Sequence, residues 1–242
     1  MFFLIVSFIL GLLIGSFLNC LAFRLYEEES LKGRSHCRAC KKIITWYDNI
    51  PILSFCLLMG QCRHCKEKIS WQYPAVEAIT GLLFLLAACL APFDWLLLAR
   101  NWFLLAIFVL IFIMDARWYV ILDKISLPAA FIALVVNILL GFSWQNMALS
   151  VTIGIGFFLI QFFVSKGRWI GGGDIRLGFL LGAALGWPNI LAALFLGYGI
   201  GALTGIALLL FGKKTLGSKL PLGTFLTIAA SIILLYGEKF IK

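Results

Sequence analysis

FLLAIFVLIFIMDAR, residues 103–117, decides the fold. Twelve apolar side chains, Phe103 to Met114, follow one another without a break before Asp115. Extended back to Leu96, the run has roughly the 20-residue length that carries a helix across the hydrocarbon core of a bilayer. Backbone N–H and C=O groups find no water there, so such a run closes its hydrogen bonds within itself as an α-helix. Similar stretches predict spans at 2–23, 74–91, 96–114, 125–141, 148–164, 175–187, 189–211 and 221–236. Pro92, the Gly141–Asn146 stretch and Trp187-Pro188-Asn189 mark tight connections between neighbours. The expected fold class is an all-α polytopic membrane protein of about eight transmembrane helices.

Composition supports this. Of 242 residues, 62% are hydrophobic and 13% charged, with a mean hydropathy of +1.03. A soluble domain is about 45–50% apolar and about 25% charged, so a water-soluble globular enzyme, a disordered chain and a secreted disulfide scaffold are excluded. The first span carries no charge until Arg24 and no basic segment before its apolar run. It therefore reads as a membrane helix and not as a cleavable signal peptide.

The net charge of +9 follows from topology. With 24–73, 115–124, 165–176 and 212–220 on one side, that side holds seventeen of the twenty Lys and Arg. Only Arg100, Lys239 and Lys242 fall on the other. Basic residues collect on the cytoplasmic side, so the large loop is expected there, with both termini outside. The lipid bilayer accounts for the chain's surface, and a nucleic-acid partner is not needed. The expected division is a first helix over 1–23, a cytoplasmic cysteine loop over 24–73 and a helical bundle over 74–242.

The loop repeats itself. CRACKKII at 37–44 and CRHCKEKI at 62–69 share five of eight positions, and each opens with Cys-x-x-Cys. Cys37, Cys40, Cys62 and Cys65 would offer zinc four thiolates in its preferred tetrahedron and leave no position open for catalysis. So short and polar a segment would draw much of its folding energy from such a metal. Disulfides are disfavoured in a reducing compartment, and a redox dithiol would need only one pair. Cys20, Cys56 and Cys89 are expected to be small buried hydrophobes.

Acidic residues are scarce. Asp115 ends the third span, Asp174 follows three glycines at the start of the sixth, and Asp123 is expected to cap the fourth helix. An ionisable group at a membrane edge is a functional candidate by default. Two carboxylates in one low-dielectric pocket cannot both ionise, and the half-protonated pair can activate water against a peptide carbonyl. Glycines 171–173 remove every Cβ ahead of Asp174, opening the backbone to an extended substrate. The ordinary alternatives are a helix-start aspartate for Asp174 and a pairing with Arg117 for Asp115. Glu77 lies just inside the second span and either bonds within the bundle or touches substrate. The Gly-x-x-x-Gly spacings at 11–15, 178–182 and 197–205 predict close helix packing.

Taken in order, GSFLNCLAFRL (15–25), the paired Cys-x-x-Cys loop, NIPILS (49–54), YPAVE (73–77), MDARWYVILDKISLP (114–128), GGGD (171–174) and LPLG (220–223) form a specific set. The chain resembles the bacterial type IV prepilin peptidases, membrane aspartic proteases of the Gly-x-Gly-Asp group. The resemblance implies catalytic roles for Asp115 and Asp174, an inner-membrane location, and cleavage of a basic leader after glycine from prepilins or pseudopilins. It also implies N-methylation of the new amino terminus from S-adenosylmethionine, with the cysteine loop and Gly60 as the places to look for that activity. The chain departs from the pattern at Tyr26, Leu122 and Thr224, where proline is common. The competing classes are a proton-coupled transporter and a noncatalytic scaffold docking through its zinc loop.

Overall fold

The computed structural model describes residues 1–91, 94–212, 215 and 218–240. Pro92, Lys213, Lys214 and Lys242, used above as a turn or in the charge count, lie outside the described residues. Each predicted span is a helix: α1 (Phe2–Tyr26), α3 (Gln72–Leu90), α4 (Trp95–Trp118), α5 (Asp123–Leu139), α6 (Trp144–Ser165), α7 (Gly172–Leu185), α8 (Asn189–Leu210) and α9 (Leu222–Phe240). A short helix α2 (Leu53–Leu57) and one 3-10 turn (Trp46–Asn49) lie in the polar loop. Among the described residues the only β pairing is two isolated bridges, His36 with Ile43 and Gln61 with Lys68.

Helices α1, α3, α4, α6 and α8 are each long and apolar enough to cross a membrane, and the chain is a membrane protein. Helix α7 is different. Its 14 residues rise only about 21 Å, short of the roughly 30 Å hydrocarbon core.

The chain forms two compact units, Met1–Leu98 and Ala99–Lys242. In the first, α1 packs on α3 through small residues. A Cβ on Gly11 would lie 2.7 Å from the Gly81 Cα, and one on Gly15 would lie 2.8 Å from the Glu77 Cα. In the second, α7 is enclosed by α5, α6, α8 and α9. Its Leu177, Leu180, Leu181 and Leu185 are buried in one core with Phe108, Phe158, Ile190 and Leu226.

Gly154 on α6 and Gly178 on α7 meet backbone to backbone, each where a Cβ would strike the other's carbonyl oxygen. A Gly178→Ala change therefore forces the helices apart. Overpacking of this kind costs about 1–3 kcal/mol, and a lowered Tm in detergent is expected. Gly156→Ala, which meets open space, should leave Tm unchanged.

The far end of α7 is held by polar groups. Arg100, buried although counted above among the outer charges, donates to the Ala184 carbonyl, and Asn137 Nδ2 donates to the Ala183 carbonyl at 2.7 Å. A cation on the last carbonyls of a helix is favourable and satisfies acceptors the helix cannot. Cys56 and Cys89 depart from expectation: both are exposed, because they lie on outward helix faces. Cys20 is half-buried and accepts from Ser35 Oγ at 3.8 Å.

Candidate active site and metal centre

Asp115 sits in the last turn of α4 and is only 5% exposed. Its Oδ2 accepts from the Thr224 backbone N–H at 2.6 Å and from Thr224 Oγ1 at 3.0 Å. Both donors come from the first turn of α9, so a residue 109 positions away fixes the carboxylate. The Arg117 guanidinium lies over the Trp118 ring, 5.3 Å from its centroid.

Asp174 is the third residue of α7 and half-buried. Its Oδ2 accepts from the Gly171 N–H at 2.9 Å, capping the start of its own helix. Gly171 itself is extended, with φ −88 and ψ 165. This is the helix-start role weighed as the ordinary alternative, and it also pins the carboxylate.

Ile121 joins the two neighbourhoods. A Cβ on Gly173 would lie 3.1 Å from the Ile121 Cβ, and one on Gly223 would lie 3.1 Å from its Cδ1 and 3.0 Å from Asp115 Oδ2. The same side chain thus touches the glycine before Asp174 and the glycine against Asp115. Both aspartates belong to the second unit, at the end where α4 finishes and α7 and α9 begin.

Asp123 does not cap α5; Leu122 holds that position without a side-chain bond. The Asp123 carboxylate instead pairs with Arg176 Nη1 at 2.5 Å, two residues beyond Asp174. Arg176 is thereby drawn toward α5. Glu77, 6% exposed, bonds within its own unit: its Oε2 accepts from the Ile52 N–H at 2.7 Å. Thr224, Ile121 and Arg176 were not legible as site residues, since their roles arise from contacts between distant segments. The departure from proline at 224 was the one signal, and it falls on the residue that holds Asp115.

The second centre lies in the loop. One sulfur from each of Cys37, Cys40, Cys62 and Cys65 falls within 4.8 Å of all the others, and Cys37 and Cys65 Sγ are 3.8 Å apart. Zinc–sulfur bonds of about 2.3 Å in a tetrahedron set sulfurs about 3.8 Å apart, so the four fit a zinc ion. The halves are built alike. Cys37 N donates to Lys42 O at 2.9 Å, and Cys62 N to Glu67 O at 2.8 Å. Lys41 and Lys66, each following the second cysteine, have φ of 56 and 60.

Backbone N–H groups of Cys65 and His64 pull the Cys62 thiol down to about 7. Although the Glu67 N–H points at Cys65, desolvation and the neighbouring cysteine sulfurs push its thiol up to about 12. Four thiolates cannot share this space without a cation. Arg63 then ties the second knuckle to the 3-10 turn, donating to both oxygens of Asp48 at 2.8 and 2.6 Å and holding its carboxyl below the usual range.

These features define a helical membrane protein with two held carboxylates at one end of its second unit and a four-cysteine cluster in its first. Comparison with known proteins gives the family. Residues 9–91 match the bacterial peptidase A24 N-terminal domain, and residues 102–206 match the type IV leader peptidase family. The chain belongs to that family of proteases. It is 31% identical to a prepilin leader peptidase/N-methyltransferase of Bacillus subtilis, over 98% of this chain and 96% of the relative. A protein of the same name from Pseudomonas putida is 30% identical over 98% and 92%. One from Myxococcus xanthus is 33% identical over 86% of this chain, which spans 64% of that relative. No solved structure gives a significant match.

Proposed function

We propose that this chain is a prepilin peptidase that cleaves the basic leader from prepilins or pseudopilins after glycine, at the cytoplasmic face of the bacterial inner membrane. The observation that carries the reading is the setting of Asp115 and Asp174 at one end of the second unit, linked through Ile121. One carboxylate holds a proton while the other takes one from water. The hydroxide adds to the scissile carbonyl carbon, the protonated aspartate supports the developing oxyanion, and the C–N bond breaks as the leaving nitrogen is protonated. Each Oδ2 is already engaged, so Oδ1 of each aspartate is the oxygen offered to the water.

The extended backbone ahead of α7 leaves room for an unwound substrate strand, as irregular backbone at membrane depth requires protein cover. In this reading the loop over 24–73, closed by structural zinc, orients the leader, and 74–242 supplies the protease bundle. N-methylation of the new amino terminus, with S-adenosylmethionine as methyl donor, is supported by the relatives' names alone and not by a residue set. A proton relay is not favoured, since both aspartates stand at helix ends.

Incubating the purified protein with a prepilin and weighing the products tests the reading: loss of the leader mass is expected, with a further methyl increment when S-adenosylmethionine is added. An intact prepilin would sink it. Thr224→Val removes one of two donors to Asp115 while keeping the backbone N–H. A hydrogen bond to a charged group is worth about 1.5–3 kcal/mol, so a drop in cleavage rate of roughly ten- to a hundredfold is expected, with KM little changed.

A further inference from the structure

The stretch Asn49–Gln61, NIPILSFCLLMGQ, carries no charge although it lies in the most polar part of the chain. Within it, Leu53, Cys56 and Leu57 fall on one face of α2, at the i, i+3, i+4 spacing of an apolar stripe. That face is largely exposed: Leu53 is 52% exposed, Leu57 71% and Met59 just beyond it 86%. Gly60, in the left-handed region with φ +67, closes the helix through its N–H to the Phe55 carbonyl.

Two contacts fix the height of α2 against a membrane span. The Ile52 N–H, immediately before α2, donates to Glu77, the sixth residue of α3. At about 1.5 Å per residue, Glu77 lies about 7.5 Å inside the start of that helix. Ile52 is held there at positive φ, φ 60 and ψ −50, at the centre of a tight turn in which the Leu53 N–H donates to the Pro51 carbonyl, a conformation a β-branched residue avoids unless it is over-determined. Phe55 then packs 4.9 Å from Trp71, the residue that leads into α3, and Trp71 is itself 77% exposed. So α2 does not stand off in water. It is held beside the first turns of α3, a helix whose Ile79, Leu82 and Leu86 are themselves apolar and exposed.

We propose that α2, with Met59 and Trp71, is an interfacial lipid anchor, whose apolar face is immersed at the glycerol and upper acyl level of the bilayer. Tryptophan at that depth and a short helix laying its apolar face into lipid are the expected chemistry. The anchor fixes the tetrathiol centre against the membrane surface, because α2 lies between the two knuckles in sequence. It stands independently of any catalytic role for the aspartates.

Photoreactive benzoylphenylalanine at position 57 of the full chain, in phospholipid nanodiscs, tests this. Lipid adducts should form as readily as from position 13, an outward site of α1, and about tenfold more than from position 43 on the first knuckle, as insertion into lipid requires. A yield like that of position 43, or crosslinking to a second copy of the chain, would overturn the proposal. The unaltered protein gives a second readout through Cys56. A charged, membrane-impermeant thiol reagent should label it much more slowly than a neutral one in nanodiscs, as read by peptide mass. Equal rates would overturn the anchor.

Discussion

Asp115→Asn and Asp174→Asn are each expected to abolish leader cleavage while leaving the fold and the metal content intact. An amide at either position cannot exchange the proton that the pair must pass to and from water. Groups that act as one unit lose nearly everything when either is removed, so each variant should fall by at least about a thousandfold, and the double variant little further. An amide oxygen at position 115 can still accept from Thr224, and one at position 174 can still cap Gly171, so the helix ends should keep their places. Gel-shift processing of a prepilin, alongside Tm and zinc stoichiometry, separates lost chemistry from lost structure. Normal processing by both variants would remove the aspartates from the mechanism.

Disabling the four-cysteine site proposed to hold zinc should have the next largest effect. Cys37→Ser or Cys62→Ser takes away one of four sulfurs, and a strong chelator takes the ion itself. Apparent zinc binding in small structural sites is worth about 10–16 kcal/mol, far more than two short knuckles gain from their own contacts. The purified protein should contain about one zinc per chain, and each serine variant much less. Limited proteolysis of the metal-depleted protein should cut between residues 30 and 70 while the helical units stay protected. Unchanged protease resistance after complete removal of metal would show that the loop holds itself.

The helices were legible because most are long apolar runs, and a bilayer leaves such a run one way to satisfy its backbone. The boundaries moved by a few residues where polar groups take part in the last turn, as at Arg24 and Arg117. The paired cysteines were legible for a similar reason: spacing within a knuckle is local, and the knuckle's turn brings its sulfurs together. Glu77 could not be read, because its partner is a backbone N–H 25 residues away at a strained turn. The capping role expected of Asp123 failed for the same cause, its partner Arg176 lying on another helix.

From the sequence alone came the membrane class, the eight apolar helices, the tetrathiol set and the two candidate carboxylates, since each rests on local composition or periodicity. Only the tertiary structure decided what grips each carboxylate, that Arg100 is buried against the end of α7, and that α2 is held beside α3. Those outcomes depend on which distant donors arrive at a given acceptor. That is set by close glycine packing between helices, and no single stretch of chain contains it.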